Sequence, residues 1–469
     1  MSKEKILYIL FDICLFLIYV LVFYFESDVY LILFFTVFLF IKNLFFSFDS
    51  FKDKFLLFVF YSFIFLFLLS RPLLAVFYDV NWIHIDYNST KIALFLIGLS
   101  LIGISFGGVM ATVLHLNIKR NFKSSSYKDN LFSTIKYMMF FFGGCKYVVE
   151  IIKYNNLKNL DYIEMYTDFG YTAPTFLLAL SGFFIYFFMG YLSTFPDKKG
   201  TYISFLFYIG SLIPSFLLGS RADVAIVLVF FVLYLVIRQR YESEQSWFKR
   251  KHKFFVFISI PALMFIFFIV QQVRGDDGHY ENMNYLMKFI YLQGTSFDTL
   301  VQGIFYENEI KSLSNNYVSY SFGPVIDKLY YNSISQFFTG LQMDSGNSEW
   351  NASISNNLAH PLSLIVLEGN YLKGYGRGTS FVLETFLDFS YAGVFLLSTI
   401  LGFFLYKIWN LNYNKISYLC TLCSFIFIVN SLILPRMSFS HNFSFLFDIK
   451  FIVFVFALVL INLSKKLIR

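Results

Sequence analysis

Four arginines stand beside apolar runs in this chain of 469 residues. Arg221 lies in LGSRADVAIVLVFFVLY, Arg274 in VRGDDGH, Arg377 in GYGRGTSFVLETFLD and Arg436 in ILPRMSFSH. A guanidinium presents a fixed fork of donors that matches phosphate oxygens, and it keeps its charge when partly buried. Taken singly, each arginine has an equally good plain use, snorkelling to lipid headgroups or pairing with an acid such as Asp223 or Asp276. Taken as a set, they favour one anion site, and four guanidiniums together suit a pyrophosphate.

Proton transfer near such an anion falls to His360, in SNNLAHPLSLIVLEGN, or to His441, in the segment that carries Arg436. An imidazole titrates close to neutral pH and can take a proton from an attacking hydroxyl. Glu384, Asp388 and Glu368 compete as carboxylate bases, and Glu384 serves only if desolvated. A lone loop histidine is more often a surface residue, and His84 and His279 are weaker candidates still. Asp276 and Asp277 read as a solvated turn, so no metal is assigned. Cys420 and Cys423 have CxxC spacing but no second ligand pair, and they fall inside an apolar run with no call for zinc. The chain has no Walker loop, Rossmann fingerprint, HExxH or GxSxG, and no cofactor is implied.

The elements that must position these residues are membrane helices. The chain is 57% hydrophobic and only 14% charged, against about 25% charged for a soluble domain. Its apolar residues fall in long blocks, which reads as an all-α polytopic integral membrane protein of about twelve transmembrane helices with one large extracytoplasmic loop. The spans are 6–25, 29–41, 55–70, 92–116, 131–152, 173–194, 201–219, 222–237, 254–272, 391–409, 417–434 and 443–463. The first is read as a retained span rather than a cleaved signal, for it is long and no small-residue cleavage site follows. Flanking cations alternate without conflict, from Lys3, Lys5 and Lys42 through the run Arg238 to Lys253 to Lys465 and Lys466, and put both termini in the cytoplasm. Three regions result: a bundle over 1–272, the extracytoplasmic loop 273–390 with short amphipathic helices, and a second bundle over 391–469.

Within the loop, Met283, Leu286, Met287 and Ile290 keep helical spacing and predict an amphipathic helix on the bilayer surface or capping the bundle. Lys146 and Glu150 are four residues apart in one span and should neutralise each other. Asp12, Lys136, Asp448 and Lys450 stand too isolated, or too near span ends, to form a proton relay. The aromatic excess of 66 Phe and 34 Tyr fits an AT-rich gene better than a sugar-stacking surface. The net charge of +7 belongs to cytoplasmic loops rather than to nucleic-acid binding.

Four ordered segments together resemble the O-antigen polymerase family. They are LGSRADVAIVLVFFVLY, YLQGTSFDTL, GRGTSFVLETFLDFSYAGVF and ILPRMSFSHNFSFLF. The resemblance covers roughly residues 200–460, and the first five spans match in hydropathy alone. It implies a GT-C-like glycosyltransferase of the bacterial inner membrane that polymerises the repeat units of a surface polysaccharide. Such a polymerase moves a glycan from undecaprenyl pyrophosphate to the non-reducing end of another lipid-linked unit, with membrane lipid and a chain-length regulator as partners. Arg221 and Arg436, with Arg274 and Arg377, would then hold the donor pyrophosphate, and His360 or Glu384 would activate the acceptor hydroxyl. The carry-over is strongest for Arg221 and Arg436; for His360 it is positional only.

An O-antigen ligase shares the lipid-linked donor, the long loop and the arginines. Ligases carry a histidine–asparagine pair, whereas here NLAHPLS follows histidine with proline, which favours the polymerase. A flippase or secondary transporter fits twelve spans but predicts an internal repeat, and none is apparent.

Overall fold

The structure is a computed structural model that describes residues 3–25, 28–83, 85–114, 128–160, 173–242, 247, 283–313, 317–344, 346–413 and 415–467. Every regular element among them is helical. Helices α1 (Lys3–Phe25), α2 (Val29–Asp49), α3 (Phe51–Ile64), α4 (Ser70–Phe77), α5 (Tyr87–Val113) and α6 (Lys128–Leu157) come first. Then follow α7 (Thr175–Ser181), α8 (Phe184–Ser193), α9 (Lys198–Leu217) and α10 (Ala222–Tyr241). A series of short helices comes next: α11 (Tyr285–Gln293), α12 (Thr295–Phe305), α13 (Glu307–Leu313), α14 (Gly323–Tyr330), α15 (Ser333–Thr339), α16 (Glu349–Ile354), α17 (Ala359–Leu367) and α18 (Gly369–Leu372). The chain closes with α19 (Phe381–Trp409), α20 (Tyr418–Leu432) and α21 (Ile449–Leu467).

Among the described residues seven helices are long and apolar enough to cross a membrane: Val29–Phe48, Phe51–Phe77, Tyr87–Val113, Thr175–Ser193, Lys198–Leu217, Ala222–Tyr241 and Phe381–Trp409. Leu10–Phe25, Tyr418–Leu432 and Ile449–Leu460 are apolar but shorter. In hydrocarbon a backbone must satisfy its own polar groups, and a helix does so within one segment. The expected span 254–272 lies outside the described residues.

The chain forms two compact units. The first holds Met1–Asn117, His279–Leu411 and Asn430–Asn442. Its axis is the crossing of α5 and α19, where small residues let two backbones touch. A Cβ on Gly107 would come within 1.9 Å of the Thr399 carbonyl, and one on Gly402 within 2.1 Å of the Ile104 carbonyl. In this unit Lys42 reaches inward to Asp12, and both bond Ser105. That corrects the reading of Asp12 as isolated and of Lys42 as a flanking loop cation. The expected break over 42–54 is also absent, because α2 runs to Asp49 and α3 begins at Phe51.

Two further expectations shift in the first unit. Helix α19 begins at Phe381 rather than 391, and the non-helical Ser390 (φ 57°, ψ −160°) lies where the span was expected to start. The region around Met283–Ile290 is helical, with Asn284 capping Met287 at 2.9 Å. Its buried face is Phe289, Tyr291 and Leu292, however, and Leu286 is exposed. The helix packs on α4, so burial against protein selects a different stripe from the one that periodicity suggested.

The second unit holds Ile118–Gly278, Asn412–Val429 and Phe443–Arg469. Here α6 packs on α7, α8 and α9 through aromatic pairs such as Phe142–Phe187 at 4.8 Å. Lys146 and Glu150 pair at 4.0 Å, as their spacing implies. Arg238 stacks on Trp247 at 3.9 Å, binds Glu242 at 2.8 Å and donates to the Pro196 carbonyl at 2.7 Å.

Candidate functional site

Arg436 closes a 3-10 turn, Leu434–Arg436, opened in its first turn by Pro435. Its guanidinium lies over the Phe67 ring, 5.1 Å from the centroid. Burial lowers its pKa from the ordinary arginine value, and no carboxylate of the described residues pairs with it. A cation over an aromatic face, enclosed but without a counter-charge, is prepared for an anion. Phe67 belongs to a π-helical turn, Phe65–Leu69, inserted between α3 and α4. Such bulges rotate the side chains after them and are frequent at functional sites.

Glu384 ties the Arg436 segment to the Arg377 segment. Its Oε1 accepts from Thr379 Oγ1 at 2.9 Å and from Ser438 Oγ at 2.8 Å. Thr379 is two residues from Arg377, and Ser438 two residues from Arg436. The carboxyl is fully buried, and its Oε2 has no partner among the described residues. Glu384 thus joins two segments and is shut off from any substrate in this arrangement.

Arg377 is half-buried, with its Nε enclosed and without a partner among the described residues. Its backbone N–H donates to Ser363 Oγ at 2.7 Å. Ser363 is three residues after His360 on α17, so one helical face carries both the imidazole and the anchor of Arg377. His360 Nδ1 lies 2.8 Å from the Tyr371 hydroxyl, and burial lowers the pKa of the ring.

His441 sits on the 3-10 turn Phe439–Asn442. Burial first, and Lys328 second, push its pKa down to about 4. Its turn is held by Ser440 N–H donating to the Ser321 carbonyl at 2.9 Å. Ser321 is itself fixed by Asp388, which accepts from Ser321 N–H at 2.7 Å, Ser319 Oγ at 2.7 Å and the Tyr317 hydroxyl. That saturation makes Asp388 a structural acceptor rather than a base. Glu368 is exposed and adopts φ 46°, ψ −122°, a region normally left to glycine.

Of the other two arginines, Arg221 occupies the N-cap position of α10 in the second unit, and Arg274 lies outside the described residues, as do Asp276, Asp277, His84 and His279. Among the described residues no group of three His, Cys, Asp or Glu side chains is placed to hold a metal, and the described cysteines are free thiols.

Sequence reasoning missed Arg71. Its Nη2 pairs with Asp298 at 2.9 Å, and its guanidinium lies 4.5 Å from the Tyr291 centroid. Tyr291, Gly294 and Asp298 all come from YLQGTSFDTL. A Cβ on Gly294 would stand 2.6 Å from Arg71 Cβ and 2.9 Å from Arg71 N, so only glycine lets this segment lie against α4. The signal was present, since Arg71 ends an apolar run as the other four adjoin theirs.

A family model described as O-antigen polysaccharide polymerase Wzy matches residues 6–467. No curated protein and no solved structure matches the chain.

Proposed function

This chain belongs to the O-antigen polysaccharide polymerase family, and we propose that it joins repeat units carried on undecaprenyl pyrophosphate. The donor glycan is transferred to the non-reducing end of another lipid-linked unit, in the bacterial inner membrane, with both termini in the cytoplasm and 273–390 outside. A chain-length regulator meeting that outer segment belongs to the same proposal.

Arg436 is the observation that carries this reading. A mostly enclosed guanidinium lies over Phe67 with no carboxylate beside it among the described residues. The leaving pyrophosphate gains negative charge as the glycosidic bond breaks, and a preorganised cation stabilises that charge without needing to protonate it. Arg377, joined to the same segment through Glu384, is its partner in this role. Arg221 and Arg274 are assigned to the pyrophosphate on their sequence alone.

His360 is the proposed base. Its lowered pKa keeps the imidazole neutral at pH 7, and α17 holds it on the face that anchors Arg377. The acceptor hydroxyl gives its proton to His360 as its oxygen bonds the anomeric carbon; the bond to the pyrophosphate oxygen breaks and its electron pair leaves with the diphosphate. His441, pushed far lower, is a weak base and is assigned to holding the Arg436 segment.

The test is a surface-polysaccharide gel of the native host with the gene deleted and then restored. Polymerase loss leaves acceptors with a single repeat unit and no long-chain ladder. Loss of every repeat unit points to ligation or translocation instead, and an unchanged ladder removes the glycan-assembly reading.

A further inference from the structure

The Tyr371 hydroxyl makes two contacts that bear on which nitrogen of His360 carries the proton. It lies 2.8 Å from His360 Nδ1, and it donates to the Ser348 carbonyl at 3.3 Å. A carbonyl oxygen can only accept, so a hydroxyl proton directed at Ser348 turns a lone pair to the imidazole, whereas one directed at Nδ1 needs that nitrogen bare. In the first arrangement Nδ1 is the donor and Nε2 keeps its lone pair.

The local structure is built around that contact. Tyr371 is 1% exposed, and its helix α18 starts directly after the strained Glu368. Asn347 Nδ2 donates to the carbonyls of Tyr371 and Tyr375, each at 2.8 Å, and clamps the backbone on the far side. Burial pushes the phenol up to about 12, so it stays a hydroxyl across the working range. The helices packed on α17 also carry Asp298, Glu307, Glu309, Lys311 and Glu349, but among the described residues Tyr371 is the titratable group that touches the ring.

We propose that Tyr371 is a positioning residue that holds His360 in the Nδ1–H form, leaving Nε2 to take the proton of the acceptor hydroxyl. The catalytic half of this inference rests on the reading of His360 as the base.

The experiment uses the full-length protein in liposomes with lipid-linked repeat units extracted from the deletion strain, beside nitrogen-15 histidine spectra of the same samples. The resonances of His360 are those missing from His360→Gln. Wild type should show Nδ1 protonated and Nε2 bare, and Tyr371→Phe, which keeps the buried ring, should show a mixture of both forms. Its kcat should fall roughly three- to tenfold with KM unchanged, because only part of the imidazole population presents Nε2. The acid limb of its rate profile should move to lower pH, since the lost acceptor had favoured the imidazolium. A Tyr371→Phe protein with wild-type spectra and rate profile, beside an inactive His360→Gln, overturns the positioning role and leaves the base in place. A His360→Gln protein at full rate overturns the base, and the catalytic role of Tyr371 with it.

Discussion

Ser438 donates to Glu384 Oε1 across 2.8 Å, although 54 residues separate them in the chain. Thr379 donates to the same oxygen at 2.9 Å. Through this one atom the segment of Arg436 and the segment of Arg377 share an anchor. The anchor is buried, and among the described residues neither Arg377 nor Arg436 pairs with a carboxylate.

Glu384→Gln should therefore keep most of the polymer output, because an amide oxygen can accept from both hydroxyls. Glu384→Leu should lose it, for two buried hydroxyls then go unpaired at a cost of about 1–3 kcal/mol each. Quantifying the long-chain ladder at matched protein level separates the cases. A silent Glu384→Gln would make Glu384 the base in place of His360.

The histidines set the pH behaviour. Burial holds the His360 pKa below the ordinary 6.5, so the rate should be sustained at pH 6.5 and fall only below it. A rate already halved at pH 6.5 would contradict the assignment.

His441 acts on stability rather than rate. Its native pKa of about 4 lies below the ordinary 6.5, so between those values the unfolded chain binds more protons than the native one. Its contribution is complete above pH 6.5 and is lost as pH falls towards 4. The unfolding temperature in detergent should drop between pH 7 and pH 5 for wild type, and less steeply for His441→Gln. Equal slopes would show that His441 is not the sensitive group.

Arg71 and Asp298 form an enclosed pair at 2.9 Å, and each is mostly out of solvent. Arg71→Ala should destabilise the protein, by up to about 3–5 kcal/mol, because it takes the cation from a mostly enclosed carboxylate. Removing both partners should cost less than removing Arg71 alone. Thermal unfolding of the single and double variants gives the coupling, and strict additivity would mean that the pair carries none.

Hydropathy is local, and the positions of several long helices were legible for that reason. Helices α5, α9 and α10 begin and end within five residues of their expected bounds. The start of α19 was not legible, because Phe381–Thr385 is buried by protein contacts that hydropathy does not record. Arg377 and Arg436 could be chosen on charge and position alone. Their shared anchor on Glu384 could not, since a hydrogen bond across 54 residues leaves no periodic trace. Tyr371 was invisible for the same reason; its approach to His360 depends on the turn at Glu368. Arg71 was legible and overlooked.

The most direct test of the account is polymer synthesis by the full-length protein in liposomes supplied with lipid-linked repeat units from the deletion strain. Wild type, Arg436→Lys and Arg436→Ala are compared at equal folded protein. The account predicts a ladder from wild type, a shortened one from Arg436→Lys, and a loss on the order of a hundredfold or more for Arg436→Ala, the scale of removing one preorganised charge stabiliser. A full ladder from Arg436→Ala would contradict it, because the pyrophosphate would then leave without the cation assigned to hold it.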